Sequence, residues 1–185
     1  DISADTPTYN CTTPTAPALA RSAELAQAPG LIPIVEPEVL MDGDHTIARC
    51  EQVTTWVLKE VFQQLYFADV ALEGIVLKPN MIVPGKKCAK QNSVEDVAKA
   101  TVKVLKDCVP SAVPGIAFLS GGQSDEEATA HLDAINRIGG LPWNVTFSYG
   151  RALQAAPQAA WSGKADNYAK GQAAFAHRAL MNSKA

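Results

Sequence analysis

With 185 residues, 47% of them hydrophobic and 19% charged, the chain reads as one folded globular unit and not as a disordered segment. Its formal net charge of -3 excludes broad attraction to nucleic acid or an anionic membrane, so an anionic ligand would have to be held by a local positive site. No apolar run nears the roughly 20 residues of a membrane span and no basic-then-apolar leader is visible, so a cytoplasmic location is expected.

Residues 1–17 are rich in threonine and proline, with Pro7, Pro14 and Pro17, and read as a connector. A short helix over Ala18–Gln27 follows. Leu31–Val35 is the first of four short, continuously apolar runs of the kind found in strands buried on both faces of a parallel sheet, and it leads into Glu36-Pro37-Glu38. From Ile47 to about Phe67, apolar residues including Val53, Trp56, Val57, Val61, Leu65 and Tyr66 fall on one helical face, with Asp44 or Thr46 as N-cap. Leu72–Leu77 is the second run and ends on Lys78-Pro79-Asn80. Ser93–Asp107 is a helix opened by an acidic variant of the capping box, Ser93 with Asp96, and lined inside by Val97, Ala100, Val104 and Leu105.

Gly115–Leu119 is the third run, closed by Ser120-Gly121-Gly122. Acidic residues from Ser124 onward start a helix at its positive end, and Gly139-Gly140 stop it near Arg137. Trp143–Phe147, closed by Ser148-Tyr149-Gly150-Arg151, is the fourth run. A last helix is expected over roughly Ala159–Met181. Strands alternating with helices define an α/β fold with right-handed crossovers. Four βα units are half of a (β/α)8 barrel, which takes about 250 residues.

The chemistry-bearing residues collect after the strands, where such barrels carry their active sites. Lys78 ends an apolar run; buried there, its amine could lose a proton and attack a ketone to form a Schiff base, or it could extend its head to solvent. Glu36 and Glu38 are two apart and point to one side of an extended segment, where repulsion and burial would push one carboxyl upward and suit it to acid–base work. Either glycine motif alone is a tight turn. Together with Ser120 and Arg151, Gly121 and Gly150 suit a phosphate, because backbone N–H groups can approach the anion beside a guanidinium fork.

Four ordered segments, Gly30–Asp44, Leu72–Pro84, Gly115–Ser124 and Thr146–Gln154, resemble the class I fructose-1,6-bisphosphate aldolases, and the resemblance runs from about Ala18 to Ala185. It implies the last four βα units of a TIM barrel over residues 18–185. It also implies reversible cleavage of fructose 1,6-bisphosphate to dihydroxyacetone phosphate and glyceraldehyde 3-phosphate, a step of glycolysis and gluconeogenesis.

Lys78 would be the Schiff-base nucleophile, Glu36 the general acid/base and Glu38 its supporting carboxylate. Ser120, Gly121, Gly150 and Arg151 would hold the C1 phosphate, with Leu119, Gly122, Ser148 and Tyr149 as neighbours. The iminium is the electron sink, so neither metal nor cofactor is implied. A phosphorylated ketose is the expected ligand and a homotetramer the expected assembly. Val76 departs from the Leu or Ser usual in the family. The family's first four strands, which carry an aspartate and two lysines, and its C-terminal tyrosine tail do not appear in these residues. That leaves about half an active site, which alone would be inactive. The alternative is a non-catalytic half-barrel acting as a binding or assembly module, whose open strand edges near Leu31–Val35 and Trp143–Phe147 would favour self-association. A transaldolase-like Schiff-base enzyme matches the two glycine loops less well.

The remaining polar residues read as structural. Cys11, Cys50, Cys88 and Cys108 have neither metal nor disulfide spacing, His45, His131 and His177 lack ligand spacing, and Lys86-Lys87 reads as a solvated loop. Trp56 is expected in the core, and Trp161 as an anchor for the C-terminal helix.

Overall fold

The computed structural model describes residues 1–3 and 6–185. Four strands, β1 (Ile34–Val35), β2 (Val76–Leu77), β3 (Gly115–Phe118) and β4 (Asn144–Phe147), form one all-parallel sheet in the order β1-β2-β3-β4. The helices are α1 (Tyr9–Thr12), α2 (Thr15–Gln27), α3 (Ile47–Phe67), α4 (Val94–Cys108), α5 (Asp125–Ile138), α6 (Arg151–Trp161) and α7 (Tyr168–Lys184). Consecutive strands are neighbours, so α3, α4 and α5 each serve as a crossover, as parallel pairing requires.

The strands are shorter than the apolar runs that announce them. Leu31 is drawn back by its N–H, which donates to Ala26 O at the end of α2, and Leu31 and Ile32 stay exposed. Hydrogen bonding nonetheless continues past the strand ends: Lys78 N–H donates to Val35 O (2.8 Å), Leu119 N–H to Pro79 O (3.2 Å) and Ser148 N–H to Phe118 O (2.8 Å). Register sets Ile34, Val76, Gly115 and Asn144 side by side, and one step on Val35, Leu77, Ile116 and Val145.

That second row faces the helices. Val35, Leu77 and Ile116 are buried, joined by Phe118, and they pack with Val53, Leu58 and Leu65 of α3, Val97 and Leu105 of α4, and Leu132 and Ile135 of α5. The opposite face is open at both edges, where Ile34 is 58% exposed and Asn144 and Thr146 are also exposed. Burial on both faces, expected for all four runs, therefore fails at the edge strands, which have a neighbour on one side only.

The helix boundaries follow local chemistry. Thr46, one of the two expected caps, accepts from Arg49 N–H. Ser93 accepts from Asp96 N–H, but the Asp96 carboxylate takes its bond from Asn92, so only half of the expected box forms. The complete capping box belongs to α5, where Ser124 and Glu127 bond each other's backbone N–H. The segment read as a connector contains α1 and the first turn of α2, which accepts Pro17 because its first N–H groups need no helical partner. Trp56 is partly exposed under α1, stacked on Tyr9 with ring centroids 6.5 Å apart, and Tyr66 is exposed.

The single C-terminal helix is two. Helix α6 starts directly on Gly150 and runs through Pro157, and left-handed Ser162 (φ 51°) and Gly163 (φ +70°) break the chain before α7. Helices α6 and α7 approach closely at Trp161, where a Cβ placed on Gly171 of α7 would lie 3.0 Å from the Trp161 Cβ, while the indole itself stays 47% exposed. No helix among the described residues is long and apolar enough to cross a membrane.

Candidate functional site along the strand carboxyl ends

Side chains alternate along an extended segment. From Ile34 to Val39 exposure alternates without a break, leaving Val35, Pro37 and Val39 buried and Ile34, Glu36 and Glu38 exposed. Both carboxylates thus share one face, as their spacing predicts. Lys78, one residue past β2, lies on that face too, and its Nζ is 2.9 Å from Glu36 Oε1. The Lys78 side chain is 19% exposed and that of Glu36 is 43% exposed. This is a half-open ion pair and not the dry strand mouth inferred from the apolar run.

The backbone beneath this pair is fixed by Asn80, which is buried. Its Oδ1 accepts from Val39 N–H (3.0 Å), and its Nδ2 donates to Thr54 Oγ1 (3.2 Å) and Met81 O (3.1 Å). One amide thereby ties the loop after β1, the loop after β2 and α3 together. Behind the Glu36–Val39 segment lies a pocket of about 210 Å³, walled by Thr12, Ala16, Val53 and Val57 among others; Lys78 is not part of it.

The loop after β3 turns at Gly121 (φ +60°) and Gly122 (φ +87°), conformations that favour glycine. Ser120 is buried, and its carbonyl accepts from both the backbone N–H and the Nε2 of Gln123. Gln123 Oε1 in turn meets His131 Nδ1 at 2.5 Å. Since Gln123 Nε2 donates to Ser120 O and Met81 Sδ, its oxygen is the atom that faces His131, and the network assigns the Nδ1 proton to His131. Burial holds this imidazole below its ordinary value, with Glu127 acting in the other direction. His131 is thus structural, as expected, and specifically it props the glycine loop.

Arg151 opens α6 and is exposed, and one of its terminal nitrogens would lie 3.6 Å from a Cβ placed on Gly122. The loops after β3 and β4 therefore meet, as the phosphate reading requires. Ser148 is part-buried and Gly150 is exposed at the start of α6. Leu119 is buried and packs under Gly121, 3.1 Å from where a Cβ would stand. Tyr149 turns away: its hydroxyl donates to Ala128 O (2.8 Å), and burial pushes its phenol strongly upward.

The starts of α5 and α6 are clamped from behind by Arg178 of α7, a buried residue. Its Nε donates to Ala152 O (3.2 Å), and one terminal nitrogen donates to Asp125 O (2.6 Å) and Thr129 Oγ1 (2.7 Å). Asn80, Gln123 and Arg178 are the supporting residues that sequence reasoning passed over. Only the place of Asn80, directly after Lys78-Pro79, hinted at its part. Among the described residues no three His, Cys, Asp or Glu side chains converge to hold a metal ion, and Cys11, Cys50, Cys88 and Cys108 are unpaired thiols.

These features define an α/β protein with a parallel sheet, its candidate site residues lined up on the strand carboxyl ends. The family model of glycolytic class I fructose-bisphosphate aldolases matches residues 1–185, including the segment before Ala18 that the motif resemblance left out. A probable class 1 fructose-bisphosphate aldolase of Xanthomonas campestris is 50% identical, over 98% of this chain and 55% of its own length. Fructose-bisphosphate aldolase B of Gallus gallus is 52% identical, over 98% and 50%. The solved fructose-bisphosphate aldolase of Plasmodium falciparum, in complex with TRAP and a small-molecule inhibitor, superposes with a TM-score of 0.93 at 48% identity, over 96% of this chain and 51% of that one. The chain belongs to the class I fructose-bisphosphate aldolase family and spans about half the length of the curated relatives it matches.

Proposed function

We propose that this chain carries the ketone-activating and phosphate-holding part of a Schiff-base aldolase that reversibly cleaves fructose 1,6-bisphosphate to dihydroxyacetone phosphate and glyceraldehyde 3-phosphate. The observation that carries the reading is the contact between Lys78 and Glu36, an amine 2.9 Å from a carboxylate at the carboxyl ends of adjacent strands.

The steps follow from that pair. A proton passes from Lys78 to Glu36, and the amine attacks the ketose C2 carbonyl. Glu36 returns that proton to the carbinolamine oxygen and then carries a second one from the nitrogen to the hydroxyl, which leaves as water, so that an iminium remains. Removal of the C4 hydroxyl proton by the carboxylate breaks the C3–C4 bond. The electron pair moves through C3 into the iminium, giving an enamine and releasing the aldehyde. Protonation at C3 and hydrolysis free dihydroxyacetone phosphate and restore the amine. Glu38, on the same face, supports the proton traffic electrostatically. Ser120, Gly121, Gly150 and Arg151 hold the C1 phosphate, with Leu119, Gly122, Ser148 and Tyr149 shaping the loops. A phosphate at the start of α6 gains from both the helix N-terminus and the Arg151 charge.

The open sheet supports the view that these are the last four βα units of a barrel, and that turnover needs four more strands to wall the mouth. Exposed Leu31, Ile32, Tyr66 and Phe67 support further association, with a homotetramer as the proposed assembly and a cytoplasmic location. The test is borohydride reduction in the presence of dihydroxyacetone phosphate, followed by intact mass and peptide mapping. An adduct on Lys78 is expected. A chain that stays at 19.6 kDa would overturn the Schiff-base assignment in favour of a binding or assembly module.

A further inference from the structure

Lys86 is an exposed loop residue, as expected, and its surroundings set it beside the proposed anion site. Three backbone hydrogen bonds stitch its loop to the loop after β1: Gly85 N–H to His45 O (2.8 Å), Lys86 N–H to Met41 O (2.7 Å) and Lys87 N–H to Gly43 O (3.0 Å). This fixes the starting point of the Lys86 side chain, which reaches Gly122 in the loop after β3. A Cβ on Gly122 would stand 2.6 Å from Lys86 Nζ, 3.1 Å from its Cε and 3.6 Å from an Arg151 terminal nitrogen. Two cationic heads, one from the β2–α4 loop and one from α6, therefore converge on one glycine of a third loop, close enough for a single phosphate to touch both.

Two acids face this lysine. Asp42 Oδ1 is 3.6 Å from Nζ, with the two side chains 67% and 42% exposed, so the pair is loose and screened. Glu127 feels the Lys86 charge, but its carboxylate is already engaged by Ser124 N–H (2.9 Å) in the α5 capping box, which is the main reason it is held below the usual carboxylate range. Neither acid neutralises the Lys86–Arg151 pair at Gly122. Like charges held together at a glycine turn are stabilised by an anion between them.

We propose that Lys86 is a further phosphate-binding residue of this site, contributing a second cation beside Arg151 and resting on Asp42 when the site is empty. The inference builds on the phosphorylated-ketose reading and names the residue that sets how strongly the phosphoryl group is held. It also explains Gly122: a side chain there would push Lys86 off the loop.

The test uses inorganic phosphate as probe, titrated calorimetrically into the full chain and its Lys86→Gln, Lys86→Arg and Asp42→Asn variants. Loss of one charge-assisted contact at a part-exposed site should weaken binding about ten-fold in Lys86→Gln. Lys86→Arg should recover most of that loss, and Asp42→Asn should bind more tightly than wild type, because it frees the lysine. Wild-type affinity in Lys86→Gln, or no recovery in Lys86→Arg, overturns the proposal. Borohydride trapping at Lys78 runs in parallel. Absence of adduct in wild type, with phosphate affinity still dependent on Lys86, removes the Schiff-base reading and leaves the anion contact standing. A normal adduct with phosphate affinity indifferent to Lys86 removes only the present inference.

Discussion

Asn80→Ala offers the sharpest test of how the fold positions the carboxylate–lysine pair. Asn80 is buried and makes three hydrogen bonds, to Val39 N–H, Thr54 Oγ1 and Met81 O. Truncation leaves a buried backbone donor and two acceptors without partners, and each orphaned group costs about 1–3 kcal/mol. The Thr54 hydroxyl can rotate to another partner and Met81 O keeps a second lone pair, so the sum should settle at about 3–4 kcal/mol, most of it at Val39 N–H. Against a total stability of roughly 5–15 kcal/mol this is severe but survivable.

Urea unfolding followed by circular dichroism reads the loss as a lower midpoint with an unchanged slope. Thr54→Val isolates one arm of the network and should cost about 1 kcal/mol, leaving the Val39 anchor in place. Glu36 is three residues from Val39, so Asn80→Ala should also loosen the carboxylate relative to Lys78 and slow borohydride trapping, whereas Thr54→Val should not. A loss below about 1 kcal/mol in Asn80→Ala, or trapping at the wild-type rate, would refute the claim that this amide sets the geometry of the pair.

Lys78→Arg keeps a cation against Glu36 but cannot deprotonate to attack a carbonyl, so trapping should vanish while the thermal midpoint stays near wild type; residual adduct at another lysine would relocate the nucleophile. Arg151→Ala should weaken dihydroxyacetone phosphate about ten- to a hundred-fold and leave dihydroxyacetone itself nearly unaffected, which a comparison of trapping curves would read; an equal loss for both ligands counts against a phosphate role. Acid should destabilise the fold through His131. Burial lowers its folded value, so its contribution is complete above the unfolded value near 6.5 and is lost as pH falls below it, by up to about 1.4 kcal/mol per pH unit. His45, also held low by burial, adds to the same slope. Urea midpoints at descending pH should therefore fall less steeply in His131→Gln, and an identical slope would remove His131 as a cause.

The order of elements was legible because it is local. The stripe from Ile47 to Phe67 gave α3 its bounds, and the four apolar runs named all four strands. The pairing of Lys78 with Glu36 was legible only as far as each closes a strand; that they touch follows from parallel register between β1 and β2. Other features depend on contacts that spacing does not encode. Alanine-rich Arg151–Trp161 falls outside the single helix expected from about Ala159 and carries Pro157, a residue disfavoured in helix interiors, yet it packs against α7 as a helix of its own. Gln123 looks like any turn residue until His131, eight positions on, arrives over it. Lys86 is solvated, as its loop position says, but its approach to Gly122 depends on the β1–α3 loop that holds its backbone.

The Arg178 clamp has a bearing on proteolysis. Helix α7 supplies neither Ser120 nor Arg151, yet one of its side chains bonds the first turns of both α5 and α6, immediately downstream of the two loops proposed to hold the anion. A protease that nicks the exposed Ser162–Lys164 hairpin would leave every proposed catalytic residue intact in the larger fragment. If α7 then departs, the damage should surface first as slack in anion grip and only later as lost helicity, which would make the C-terminal helix a remote tension strap on the proposed phosphate end of the molecule.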